Sequence, residues 1–348
     1  VTAPVRKRWR DLPAHRRADG INIKWIGCDD PLTGEPGRVW DIGGWNEGAQ
    51  GAFISGPVKG MVHRPFRAVR HSPAYGPPRF ERVVDELREI EFQITLVADS
   101  EYGWFDTETF WWNGMRGDRP GWFCVWTRRF GEFYIPAHLG DSIEDELVED
   151  PTNLGNYSQD WRIRLAVDGD TNWRTPDLRP KEWVVRATDP VVSVKRDDNM
   201  FAPMINVRKG SLKVRNGGTE PAWPIYTVGA PGRVWLPDGV SGRMIRVPRL
   251  FEGETCLIDT NPEHRIAIST KDPMDNWLVN VLSNVDLLEW LGITEFQERT
   301  ESVLERFHGQ GFSQPIAPGT VATLPIYHSQ VGARVSVRLP QRYERAIS

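Results

Sequence analysis

The side chains best equipped for chemistry are carboxylates, imidazoles and thiols, and their spacing decides whether any of them can act together. Asp106 and Glu108 stand beside Trp111 and Trp112. These are the residue types of a glycoside cleft, where two carboxylates share the acid and base roles and a ring holds the sugar. With 47 acidic residues in a chain of 348, some must neighbour a tryptophan by chance, so the pair does not make an enzyme. Asp168-Gly169-Asp170 has two carboxylates at calcium-loop spacing but lacks the central Gly and the distal Glu, and a strand-end turn is expected instead. His63 and His71 are the closest of the seven histidines and are too loosely flanked to hold a metal. Cys28, Cys124 and Cys256 are far apart and odd in number. They form neither a disulfide framework nor a zinc module and suggest folding in a reducing cytoplasm. Dinucleotide, P-loop, HExxH and GxSxG signatures do not occur. No catalytic residue, metal or cofactor is therefore expected.

The elements that carry these residues read mainly as strands. The chain holds 32 Gly and 27 Pro, scattered so that few long helical windows survive. Short apolar or alternating runs bounded by turn residues lie at 21–26, 92–97, 121–127, 132–137, 161–167 and 183–187, the β signature. Trp161, Ile163, Leu165 and Val167 alternate with Arg162, Arg164 and Ala166, which predicts one buried face. Arg129 to Glu132 reads as a hairpin turn between two aromatic runs. Helical spacing of Trp104, Trp111 or Trp112 and Met115 predicts a helix over 101–115, stopped near Gly114 and Gly117. A second helix is expected over 294–307, and a short helical turn over 284–290. A polar stretch near 189–201 marks a domain boundary. Beyond it, strands at 210–216, 225–228, 233–236, 243–247, 255–259 and 265–269 suggest a sandwich, and 320–326 and 333–339 read as another strand pair. The chain thus divides into three segments: 1–190 as a β-rich domain with one embedded helix, 191–292 as a β-sandwich, and 293–348 as a terminal helix and strand pair.

Charge and composition narrow the function classes. The net charge of −4 is mixed along most of the chain, without the basic stripe of a nucleic-acid protein. No run is long enough to span a bilayer and the N-terminus has no apolar signal core, so neither membrane insertion nor export is expected. Sixteen Trp fit aromatic cores and subunit contacts. Two local charge runs stand out. Arg6, Lys7, Arg8 and Arg10 crowd the N-terminus, whereas Glu144, Asp145 and Glu146 belong to an acidic run over 141–150. Opposite charge would let the two runs register neighbouring copies.

Part of the second half carries a resemblance. Val214-Arg215-Asn216-Gly217-Gly218 opens a turn followed by Pro221 and Pro224, then a strand closing on Gly229-Ala230-Pro231, and later Gly253-Glu254 leading into a strand that ends Ile258-Asp259. This order, over about 206–269, resembles the C-terminal half of distal tail and related minor tail proteins of siphophages, especially those of actinobacteria. The ending Gly332-Ala333-Arg334-Val335 through Tyr343 resembles a common close in that group. The physical content of the motif is structural: Asn216-Gly217-Gly218 is expected to supply positive φ for a tight turn, and Pro221 and Pro224 to protect a sheet edge.

The resemblance implies a virion protein of the tail tip, made in the host cytoplasm. Such proteins form rings, commonly hexameric, with an N-terminal belt (here 1–190) and an outward galectin-like sandwich (191–292). Residues 293–348 would return to the belt or reach a neighbour. The implied partners are copies of the same chain, the tail tube protein, the baseplate hub or a tail-associated protein, and the tape measure protein, with no nucleic acid or membrane. An alternative is a receptor- or carbohydrate-binding minor tail protein that stacks exposed tryptophans on cell-wall sugars, with Trp173 beside Asp170, Asn172 and Arg174 as its candidate.

Overall fold

A computed structural model describes residues 20–29, 37–72, 75–141, 143, 150–152, 157–176, 179–196, 202–229, 231–262, 264, 267–270, 301–302, 307 and 310–347. The protein is mainly β with one α-helix among the described residues. It divides into two compact units: unit 1 is Val1–Pro176 with Tyr343–Ser348, and unit 2 is Asp177–Arg342.

Unit 1 contains β1 (Asn22–Ile26), β2 (Val39–Gly43), β3 (Ala52–Ile54), β4 (Phe66–His71), β5 (Arg79–Asp85), β6 (Arg88–Val97), α1 (Glu101–Asn113), β7 (Gly121–Thr127), β8 (Gly131–Leu139), β9 (Ser158–Val167) and β10 (Trp173–Arg174). Its main sheet runs β2-β1-β7-β8-β9-β6-β3. The predicted alternation in β9 is present: Ile163, Leu165 and Val167 are buried while Arg162 is exposed. The hairpin between β7 and β8 closes at the Thr127–Gly131 pair, with Gly131 at φ 83°. The tryptophans fill the core as expected, since Trp25, Trp40, Trp111 and Trp173 are among the largest fully buried side chains. Arg88, also fully buried, donates to the carbonyls of Met61 and Glu344 at 3.1 and 3.0 Å. It thereby ties the last residues of the chain into unit 1.

Unit 2 contains β11 (Lys181–Val184), β12 (Val191–Lys195), β13 (Met204–Arg215), β14 (Ile225–Gly229), β15 (Gly232–Pro237), β16 (Met244–Leu250), β17 (Thr255–Asp259), β18 (Ala267–Thr270), β19 (Glu301–Ser302), β20 (Val321–His328) and β21 (Arg334–Arg338). The chain re-enters unit 1 along β22 (Arg342–Tyr343), which pairs with β10. The two sheets of unit 2, β11-β21-β14-β17-β18-β19 and β12-β13-β20-β15-β16, share one apolar core. Tyr226, Val228, Ile258, Val335 and Val337 come from the first sheet and Leu212, Val234, Val247, Leu324 and Ile326 from the second.

Several expectations need correction. The strand near 183–187 lies in unit 2, because Lys181–Val184 pairs with β21. Residues 320–342 also join unit 2, and only Tyr343–Ser348 return to unit 1. Of the helix expected over 294–307, Glu301–Ser302 are a strand against β18; most of the remainder, like 284–290, falls outside the described residues. β14 is no edge, since it pairs on both sides with β17 and β21. The prolines before it therefore steer the chain into an interior strand.

Candidate assembly surface

Two features of unit 1 project polar and apolar side chains outward from firm supports. The first is α1. Its start is set by Ser100, whose hydroxyl accepts from the Gly103 amide at 3.1 Å, an N-cap that satisfies an otherwise orphan donor. Trp104 and Trp111 turn inward, and Trp111 meets Trp40 edge-on with ring centroids 5.3 Å apart. The end is fixed by Gly114, whose carbonyl accepts from the Trp25 indole at 3.2 Å and the Cys28 amide at 3.1 Å. A Cβ on Gly27 would lie 2.8 Å from the Gly114 Cα, so these backbones touch only because both residues lack side chains. On the outer face, Tyr102 is 82% exposed and Phe105 and Phe110 are each 49% exposed. Tyr102, Asp106 and Phe110 follow one another at intervals of four and Phe105 lies three from Tyr102, which spreads them over the outer half of the helix. The Arg38 guanidinium rests over the Phe110 ring at 4.8 Å, at the C-terminal end of this face.

The second feature is a ribbon. Among the described residues, β4 and β5 pair only with each other and join no larger sheet. Their register sets Phe66 opposite Asp85, Ala68 opposite Val83 and Arg70 opposite Phe80, with a bulge between Val69 and Arg70. Paired residues share a face, so one face carries Phe66, Ala68, Val83 and Phe80, with Asp85 at one end and Arg70 at the other. The other carries Arg67, His71, Arg79 and Arg82 around half-buried Val69 and Val84. Phe66 and Phe80 are 60% and 65% exposed. A two-stranded hairpin is marginal in water without a third strand or a packed face, and no described residue of Phe66–Asp85 belongs to the unit 1 core. This ribbon is an element that sequence reading missed, as it missed β2, β3, β10 and β12. Its signal was present in Phe66–His71, Arg79–Asp85 and the Gly76 turn, but its arginines hid the strand alternation.

The charge-matched pair expected from sequence lies outside the described residues: Arg6, Lys7, Arg8 and Arg10 at one end, Glu144, Asp145 and Glu146 at the other. The described ends of the acidic run are satisfied locally. Asp141 accepts from Arg164 at 2.6 Å, and Asp150 accepts from the Thr152 amide at 2.9 Å. Trp173 is overturned as a sugar platform, because it is fully buried and packs on Phe123 with Arg88 over its ring. Among the described residues no tryptophan is exposed. Asp106 and Glu108 sit on α1, and Glu108 is half-buried. Asp168 and Asp170 occupy the expected turn, with Gly169 at φ 68°. No group of His, Cys, Asp or Glu among the described residues could hold a metal, and all three cysteines are free and buried. No described helix is long and apolar enough to cross a membrane.

The motif in unit 2 is structural. Asn216 is fully buried, donates to the Glu220 and Ile316 carbonyls at 2.9 and 2.8 Å, and accepts from the Gly218 amide at 2.9 Å. Gly217 and Gly218 do not take positive φ. Gly218 is required instead because a Cβ would lie 2.3 Å from the Arg342 carbonyl oxygen. Glu254 is buried and accepts from the Phe251 amide and the Ser269 hydroxyl, both at 2.7 Å, after Gly253 has turned the chain at φ 78°.

The fold of this chain is similar to those of solved phage hub and baseplate proteins. No protein-family model and no curated protein matches this chain. It is similar in fold to the Dit protein (gp 19.1) of phage SPP1, described as a paradigm of the hub adsorption apparatus of phages infecting Gram-positive bacteria. That match has a TM-score of 0.50 and 9% identity, and covers 93% of this chain and 99% of the other. It is also similar to a chain of the phage P2 baseplate in its activated conformation with calcium, at TM-score 0.52 and 11% identity over 94% and 99% of the two chains. The strontium form of the p2 baseplate matches at TM-score 0.50 and 11% identity, over 92% and 98%. At such identity the likeness is one of fold.

Proposed function

We propose that this chain is a structural subunit of a phage tail tip, assembling into a ring that joins the tail tube to the baseplate hub. The observation that carries the reading is a likeness in fold extending over more than nine-tenths of this chain and of each hub or baseplate chain compared. The outward-facing ribbon and helix of unit 1 support it, because an uncovered hairpin with apolar side chains wants a neighbour. On this reading the protein acts without catalysis, in the virion. Unit 1 forms the belt, and unit 2 is a galectin-like sandwich on the outside. Its partners are its own copies, most simply six, the tube protein above, and the hub or tail-associated protein below, with the tape measure protein reaching the same axis. The arrangement is heterologous: one face of a copy meets a different face of the next, and rotation closes the ring.

The test is the mass of the purified protein by light scattering, with negative-stain images of the same sample. A closed ring is expected. A protein that stays monomeric at every concentration, alone and with tube protein, would sink the reading.

A further inference from the structure

Charge on unit 1 is not paired evenly. Around the main sheet several charges meet opposite partners: Glu91 with Lys59, Arg162 and Arg164, Asp41 with Lys24, and, in the loop after α1, Asp118 with Arg116 and Arg119. The ribbon and α1 depart from this. Arg70, Arg79 and Arg82 on the ribbon make no ion pair among the described residues, and neither do Glu101, Asp106 and Glu108 on α1. The stretch 98–115 contains Asp99, Glu101, Asp106 and Glu108 and no Lys or Arg. Residues 64–85 contain Arg64, Arg67, Arg70, Arg79 and Arg82 against Glu81 and Asp85. Arg64 is already tied to Asp85, and Arg67 to Glu86 at 3.6 Å. Each feature also bares large apolar side chains: Phe66, Phe80 and Val83 on the ribbon, Tyr102, Phe105 and Phe110 on the helix. One feature is apolar and basic, the other aromatic and acidic, and among the described residues only Arg38, over Phe110, lies across either of them.

From this complementarity we infer that the β4–β5 ribbon of one copy docks on the outer face of α1 of the next copy, making the ribbon-to-helix contact the joint of the ring. The inference rests on the proposed assembly and names its contact. Phe66, Phe80 and Val83 bury against Tyr102, Phe105 and Phe110. The ribbon is only two strands wide, so arginines on either face can reach past its edges to Glu101 and Asp106. Aromatic and arginine side chains are the groups that most often anchor protein interfaces, and opposed unpaired charges set register and exclude wrong docking. The contact is heterologous, as a closing ring requires. It also supplies the packed face that the isolated ribbon lacks.

The experiment uses two full-length charge-reversal variants. One carries Arg70→Glu and Arg79→Glu on the ribbon, the other Glu101→Lys and Asp106→Lys on α1, and circular dichroism checks that each is folded. Light scattering then gives the mass of wild type, of each variant alone, of the two mixed, and of a chain carrying all four changes. Each variant alone is expected to associate roughly 100-fold more weakly than wild type, the scale of like charges facing one another at an interface. The mixture should recover the wild-type mass as an alternating ring, and the fourfold variant should recover it alone. If wild type forms a ring and both folded variants form it unchanged, the ribbon-to-helix contact is wrong while the tail-tip reading stands. If each variant is impaired but neither the mixture nor the fourfold chain recovers, the pairing of these two surfaces is likewise refuted. A wild type that forms no ring, alone or with tube protein, refutes the assembly reading itself.

Discussion

Single side chains in this protein matter most where they satisfy backbone groups in the interior. His328 closes β20 where it pairs with both β13 and β15. It is fully buried, its Nδ1 accepts from the Gln330 amide at 2.9 Å, and burial pushes its pKa down to about 4. The unfolded chain holds the same proton near the ordinary histidine value, so it binds protons more readily than the fold does between those limits. Stability contributed by neutral His328 is complete above the unfolded pKa and is lost as pH falls toward the folded one. Between pH 7 and pH 4.5 that loss is roughly 2 kcal/mol. Urea unfolding at both pH values should show wild type losing that much more than His328→Asn, whose amide oxygen can accept from Gln330 but does not titrate. Equal losses would remove His328 from the acid response. Asn216 belongs to the same scale and shows what a sequence can and cannot tell. Its type and the glycines after it announced a turn, but the need for Gly218 arises from the Arg342 carbonyl, more than a hundred residues away in sequence. Local spacing carries no trace of such an approach.

At the scale of elements, strands with an apolar face were legible because their period shows in the residues themselves. β7, β9, β17 and α1 declared themselves in this way, with Trp104 and Trp111 at helical spacing and a glycine just beyond. The β4–β5 ribbon stayed hidden for the same physical reason. Its faces are both exposed, so nothing forced a clean alternation of apolar and polar types. Helix placement depends on contacts as much as on propensity. The Gly27–Gly114 approach lets the end of α1 accept hydrogen bonds from β1 and from Cys28 just beyond it. A methyl group at Gly27 meets backbone that has little room to yield, and overpacking of this kind costs about 1–3 kcal/mol. Gly27→Ala should therefore lower unfolding stability by that amount in a denaturant titration and weaken the near-ultraviolet tryptophan signal. A variant with unchanged midpoint and spectrum would mean that the helix end shifts freely.

For the whole molecule, the ribbon and the core are separable. Because no described residue from Phe66 to Asp85 belongs to the unit 1 core, replacing Phe66–Asp85 with a short Gly-Ser turn should leave thermal unfolding of the protein nearly unchanged. The same variant should abolish its assembly, as read by light scattering. Loss of folding would show that the ribbon is part of the unit's stability instead. The candidate surface was only partly visible in the sequence. Composition pointed to a chain built for contacts and charge runs suggested candidate partners, but α1 and the ribbon become complementary only once the fold exposes both. The order in which the chain is threaded has a further effect. Unit 2 is inserted between Pro176 and Tyr343, and the last residues of the chain finish unit 1: β22 beside β10, the Glu344 carbonyl on Arg88, and Ala346 in the core. A ribosome must make the whole guest before the host can close. Chains cut short anywhere within the insertion lack those closing residues, so unit 1 stays without them until unit 2 has been synthesised.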